Sequence, residues 1–251
     1  MAWWRTYFDE TFFHLHEDLF PEAESRREVG AIIDMLGLPA DARILDVPCG
    51  WGRHTNLLPG AGLQAYGADL SVDLLRRAAS GAREAGLPLR YVAADVRALP
   101  FRDGSFDAVF NVFTSLGLFL DDQEDVRALR EARRVLRPGG KFLLESMHRD
   151  DVIANYAERD EWTLPNGIEV RVRRRFDPVT GISEERLRWR WGERRGRKQH
   201  ALRLRTATEI HALLGAAGFD EVTYYGDWDG SPLRHDSPRV IAVASVGRSV
   251  G

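Results

Sequence analysis

Three aspartates close three short apolar runs in the first hundred residues: Asp46 after Arg43-Ile44-Leu45, Asp69 after Ala65-Tyr66-Gly67-Ala68, and Asp95 after Val92-Ala93-Ala94. Gly50 and Gly52 follow the first of them, and glycines let a backbone approach a ligand more closely than any Cβ would allow. Asp69, 17 residues past Gly52, can accept hydrogen bonds from both hydroxyls of a ribose. Asp95, in Ala94-Asp95-Val96, is suited to accept from the exocyclic amine of an adenine. Each residue also has a plainer use: Asp46 as the cap of a following helix, Asp69 and Asp95 as turn residues. Cys49 is the only cysteine, and with no base beside it in the chain it reads as a small buried filler rather than a nucleophile.

These residues need a scaffold that brings strand ends together. Arg43 to Val47, Leu63 to Asp69, Leu89 to Ala94, Phe106 to Asn111 and Lys141 to Glu145 read as five strands. A helix is expected directly after Gly52. Leu74 to Glu84 and a segment through Val126 and Val135 have helical spacing, the second stopping at Arg137-Pro138-Gly139-Gly140. Strands interleaved with helices predict right-handed crossovers and a parallel sheet covered on both faces. Upstream, Phe12, Phe13, Leu15, Leu19 and Phe20 suggest one buried helical face, and Ile32, Ile33 and Leu36 a second helix.

The pattern changes after Met147. Glu169 to Phe176, Glu185 to Trp191 and, more weakly, His200 to Arg205 alternate as an antiparallel meander would. A helix from Thr208 to Ala217, stopped by Gly218, then precedes two strands, Asp220 to Tyr225 and Arg239 to Val246. Residues 168–205 hold 13 basic and 5 acidic side chains, although the whole chain carries only −3. Alternation places Leu187, Trp189 and Trp191 on one face and Arg186, Arg188 and Arg190 on the other; Glu169, Arg171, Arg173 and Arg175 share a face as well. Opposed Glu and Arg would make an ordinary solvated surface, with a nucleic-acid or acidic-substrate face and a homodimer contact as alternatives. Single-stranded nucleic acid is not the expected partner, because the tryptophans point away from the arginines and cannot stack bases there. With 251 residues, no run of 18 apolar residues, one cysteine and an acidic start lacking a cleavable apolar core, a cytoplasmic protein is expected.

The segments ILDVPCGWGRHT, YGADLS, AADVRALPF, FDAVFNVFTSLGLF and LRPGGKFLLE, in that order over about residues 43–145, resemble the class I S-adenosylmethionine-dependent methyltransferases. The resemblance implies an α/β, Rossmann-like doubly wound seven-stranded sheet whose last strand is antiparallel. It divides the chain into an N-terminal helical lid (1–40), a cofactor-binding core (41–147), a β-meander insert (148–205) and a closing helix with two strands (206–251). It also implies that Asp46, Gly50 and Gly52 surround the methionine end of S-adenosylmethionine, that Asp69 holds the ribose, that Asp95 and the Val96 backbone hold the adenine, and that the Asn111 backbone faces the ammonium group. Pro48, Cys49, Arg53 and Leu70 complete the expected cofactor set. Pro48 stands where the family has the first glycine of its loop and can give no amide contact. A nicotinamide cofactor fits less well, since Thr55 occupies the position of that fingerprint's third glycine.

A methyl acceptor that must lose a proton needs a base near the strand ends. His148, just past the fifth strand, is the expected catalytic residue; His14, His16, Asp227, Asp229 and His235 are further candidates. Tyr7, Phe8, His14, His148 and Trp228 are expected at the substrate. No metal is expected. The expected partner is a small-molecule methyl acceptor, transferred to at O or N. An RNA or protein methyltransferase, or a module that binds S-adenosylmethionine without catalysis, are the alternatives.

Overall fold

A computed structural model describes residues 2–88 and 90–247. Helices α1 (Trp4–Tyr7), α2 (Glu10–His16) and α3 (Glu22–Leu36) precede the first strand, β1 (Arg43–Asp46). Then come β2 (Gln64–Asp69), α4 (Val72–Glu84), β3 (Tyr91–Ala93), β4 (Phe106–Asn111), α5 (Asp122–Val135) and β5 (Leu136–Met147). After α6 (Arg149–Ala154) the chain forms β6 (Arg159–Thr163), β7 (Glu169–Asp177), β8 (Ile182–Trp191) and β9 (Arg194–Arg203). Helix α7 (Ala207–Ala217), β10 (Val222–Tyr225) and β11 (Arg239–Ser245) close the fold.

The strands make a seven-stranded sheet ordered β10-β11-β5-β4-β1-β2-β3, in which β11 alone runs against its neighbours. Neighbouring residues on each strand serve opposite faces, as the pleat requires. Leu45, Val109 and Leu144 pack beneath α5 and α7; Ile44, Phe110 and Leu143 pack beneath Val29, Ile32 and Leu36 of α3. Capping fixes the helix ends. Asp9 starts α2, Ser71 starts α4, and Thr206 with Glu209 forms a reciprocal capping box on α7, which Gly218 ends in the left-handed region.

Four expectations need correction. No α-helix follows Gly52: turns lead into a short 3-10 segment at Leu58–Ala61, because Pro59, Gly60 and Gly62 leave too few residues for a helix. Leu19 is exposed rather than packed. The second sheet has four strands, ordered β6-β7-β8-β9, of which β6 was not anticipated and β9 begins six residues before His200. Its outer face does not oppose Glu to Arg throughout: Arg171 lies across from Arg188, Arg173 from Arg186, and Arg188 from Arg197.

Candidate cofactor and acceptor site

The sheet changes winding direction at β1 and β4, and crevices at such points lie beyond the carboxyl ends of the strands. There the loop after β1 is held by backbone geometry: the Cys49 amide donates to the Ala68 carbonyl at 2.9 Å, and the Gly50 amide to Asp69 Oδ2 at 2.8 Å. Asp69 Oδ1 accepts from the Ser71 amide, also at 2.8 Å. Burial pushes the Asp69 carboxyl up. Asp46 accepts from the Thr55 hydroxyl at 2.6 Å through Oδ2, while its buried Oδ1 has no partner. Burial pushes Asp46 up to about 7. Asp95 is gripped by Arg97, with Nε to Oδ1 at 2.9 Å and Nη2 to Oδ2 at 2.6 Å, and this hydrogen bonding holds its carboxyl below the usual range.

A cavity of about 460 Å³ opens from this crevice. Asp46, Pro48, Cys49, Gly50, Arg53, Asp69, Leu70, Asp95 and Val96 line its sheet side. Trp3, Trp4, Tyr7, Phe8, Phe12 and His16 line the side formed by the N-terminal helices. The second sheet forms the remaining wall with residues that include Val170, Arg174, Glu185, Leu187 and His200. That volume falls in the usual range for small-molecule sites, and an aromatic wall with few polar groups is their usual composition.

Several anticipated residues stand elsewhere. Gly52, at φ +76°, packs the loop onto the scaffold: a Cβ there would lie 2.7 Å from Tyr91 Oη and 2.9 Å from Ala78 Cβ. Asn111, expected through its backbone, ends β4 directly before Val112, which lines the cavity, and its side-chain oxygen accepts from the Ser115 hydroxyl. His148 is buried outside the lining, its Nδ1 2.8 Å from the Ser237 carbonyl. The cause is the pleat: β5 runs on to Met147, which lines the cavity, so the next side chain points the other way. Trp228 is buried among the core residues beneath α3, and His14 pairs with Glu17 at 2.7 Å; neither lines the cavity. Asp227 is engaged by Arg239 at 2.8 Å, and Asp229 and His235 are exposed. Of the expected substrate residues, Tyr7 and Phe8 line the cavity.

Two groups escaped the sequence reading. Phe113 and Thr114, after β4, hold left-handed backbone (φ +66° and +52°), pinned by the Phe113 amide to Glu145 Oε2 at 2.6 Å and by Thr114 Oγ1 accepting from the Met147 amide at 3.0 Å. Both line the cavity, and such strain in non-glycine residues concentrates at functional sites. The second group is a polar row on the inner face of the second sheet, where register aligns Arg174, Glu185 and His200 across three strands. Arg174 Nε donates to Glu185 Oε2 at 2.7 Å, and Glu185 Oε1 lies 3.8 Å from His200 Nδ1. Only the parity of these positions relative to Val172 and Leu187 could have signalled it.

Residues 44–140 match the family model described as a methyltransferase domain. Over 132 residues the chain is 33% identical to a demethylmenaquinone methyltransferase of Renibacterium salmoninarum, covering 53% of this chain and 52% of that one. The chain thus spans about half the length of the curated relatives it matches. An S-adenosylmethionine-dependent methyltransferase from Clostridium acetobutylicum has the same fold over 94% of this chain and 98% of its own, with a TM-score of 0.81 at 19% identity. An amino pentose methyltransferase from Micromonospora echinaspora, solved with S-adenosylmethionine bound, gives a TM-score of 0.72 at 23% identity, over 94% of this chain and 96% of its own.

Proposed function

We propose that this chain, which belongs to the class I S-adenosylmethionine-dependent methyltransferases, transfers a methyl group to an oxygen or nitrogen of a small molecule. The observation that carries the reading is the cavity of about 460 Å³ at the strand ends, walled on one side by three strand-end carboxylates and on the others largely by aromatic rings. A cavity of this volume suits a small acceptor. The relatives' own names, an amino pentose methyltransferase and a demethylmenaquinone methyltransferase, point the same way.

The residues present fit S-adenosylmethionine. Asp46 Oδ1 is a buried acceptor without a donor, and such an atom is costly unless a ligand completes it. An ammonium or sulfonium charge beside it would also favour the ionised carboxylate that burial disfavours. Asp69 would take the ribose hydroxyls on its remaining lone pairs, and Asp95 with Val96 the adenine. When bound, the cofactor supplies an electrophilic methyl on a sulfonium. The work of the chain is then alignment and exclusion of water, which Phe8, Phe12, Trp51 and Phe113 around the crevice perform.

Calorimetric titration with S-adenosylhomocysteine tests the cofactor, with one-site binding expected. Labelled S-adenosylmethionine incubated with a size-fractionated cell extract tests the acceptor. Label in the small-molecule fraction supports the reading; label in RNA or protein favours a macromolecular acceptor, and binding without any transfer favours a non-catalytic module.

A further inference from the structure

Beyond the cofactor crevice, the helices and the second sheet bring together polar atoms that nothing among the described residues satisfies. His16 Nδ1 lies 2.7 Å from the Phe12 carbonyl. A carbonyl can only accept, so the proton sits on Nδ1 and Nε2 carries a lone pair. His16 lines the cavity with its ring stacked on Phe12 at 4.0 Å, and burial pushes the imidazole down to about 4, so it is neutral at physiological pH.

Glu185 uses Oε2 for Arg174 and keeps Oε1 beyond hydrogen-bond distance of His200. The buried His200 Nδ1 and the buried Trp3 Nε1 have no partner among the described residues, and both side chains line the cavity. The rings of Trp3 and Tyr7 stand 5.8 and 5.1 Å from that of His200. The cluster therefore combines acceptors, a fixed indole donor and an aromatic wall. Buried polar atoms without partners are costly, and a ligand that both donates and accepts removes that cost.

We propose that His16, Glu185, His200 and Trp3 form the acceptor subsite, taking a small molecule with a ring-like apolar body and a hydroxyl or neutral amine. Its O–H or N–H donates to His16 Nε2, Glu185 Oε1 stands open to a second N–H, its lone pair accepts from the Trp3 indole, and its apolar body packs on Tyr7 and Phe12. The proposal rests on the methyltransferase reading and gives the insert a role in acceptor choice rather than cofactor binding.

The test uses full-length protein labelled with ¹⁵N-histidine and saturated with S-adenosylhomocysteine. The probes are benzyl alcohol and aniline, which carry a donor, and toluene, which shares the ring and lacks one. Expected are a ¹⁵N shift at His16 Nε2 with a donor probe and binding about tenfold tighter than toluene, the worth of one good hydrogen bond. In His16→Phe the preference should shrink to within about threefold. Toluene binding as tightly as both donor probes, or no response of His16 to any probe, overturns the subsite. The wild-type series is decisive even if a variant fails to fold. Failure of the wild type to bind S-adenosylhomocysteine instead removes the methyltransferase reading on which the subsite rests.

Discussion

Asp46 and Asp69 differ in what the fold has already done to them. Asp69 is committed through both oxygens to the Gly50 and Ser71 amides, so truncation to Ala would cost about 1–3 kcal/mol of stability as well as affinity. Asp69→Asn keeps an acceptor for one of the two amides, sets an NH2 donor against the other, and removes the carboxylate offered to the ribose. S-adenosylhomocysteine should bind it about 1.5–3 kcal/mol more weakly, the range for hydrogen bonds to a charged group, and calorimetry showing wild-type affinity would contradict the ribose assignment. Burial pushes the Asp46 carboxyl up to about 7 in the fold, against 3.8 for a free aspartate. Between these values the folded state holds more protons than the unfolded one, so this group's contribution to stability falls as pH rises through the window. Asp46→Asn removes the titration while leaving an acceptor for Thr55. Its melting temperature relative to wild type should therefore climb by a few degrees between about pH 4 and pH 8. A constant offset in calorimetric scans across that range would show that Asp46 is ionised throughout.

At the scale of elements, the second sheet has two faces with different demands. The inner face buries Val170, Val172 and Leu187 with Leu15 of α2, which ties the insert to the N-terminal helices. The outer face sets Arg188 between Arg171 and Arg197, and like charges directly opposite on neighbouring strands repel. Arg188→Glu converts two repulsions into two attractions and should raise stability by about 0.5–1 kcal/mol in urea titrations at low salt, the gain shrinking at high salt. No gain at either ionic strength would mean that water already screens the row. As a solvated face it should hold generic RNA no more tightly than about 10⁻⁴–10⁻⁶ M at physiological salt. Tight, steeply salt-dependent binding lost in a triple substitution of Arg171, Arg173 and Arg188 to Ala would reassign it.

Across the whole molecule, the cavity exists because three parts meet, and the N-terminal helices are held by side chains from both of the others. Lys198 of β9 donates to the Tyr7 carbonyl at 2.7 Å and pairs with Asp9 at the same distance. Arg77 of α4 pairs with Glu10, and the Ser71 hydroxyl donates to the Phe8 carbonyl. If a bound ligand exits past these helices, the contacts must open first. Lys198→Met removes the tie to the insert and keeps the alkyl stem, so S-adenosylhomocysteine should dissociate several-fold faster in stopped-flow displacement, with a smaller change in affinity because entry is eased too. An unchanged off-rate would mean that exit does not pass the N-terminal helices.

Much of this was readable from residue order. Period-two and helical spacing, with Gly and Pro as punctuation, identify the first five strands, their parallel arrangement and the three aspartates at their ends, because those signals are local and the crossover rule is general. The antiparallel last strand and the cofactor came from the resemblance of whole segments, not from spacing. Tertiary structure decided which side of the pleat each residue takes. A strand continuing to Met147 turns His148 out of the cavity, and the register of three separate strands turns Arg174, Glu185 and His200 into it. It also decided that Gly52 serves packing, since its neighbours Tyr91 and Ala78 lie far along the chain. A strand's local sequence specifies that its side chains alternate, but which face meets the cavity depends on where the strand starts and what packs against it, and those are set by contacts between distant segments.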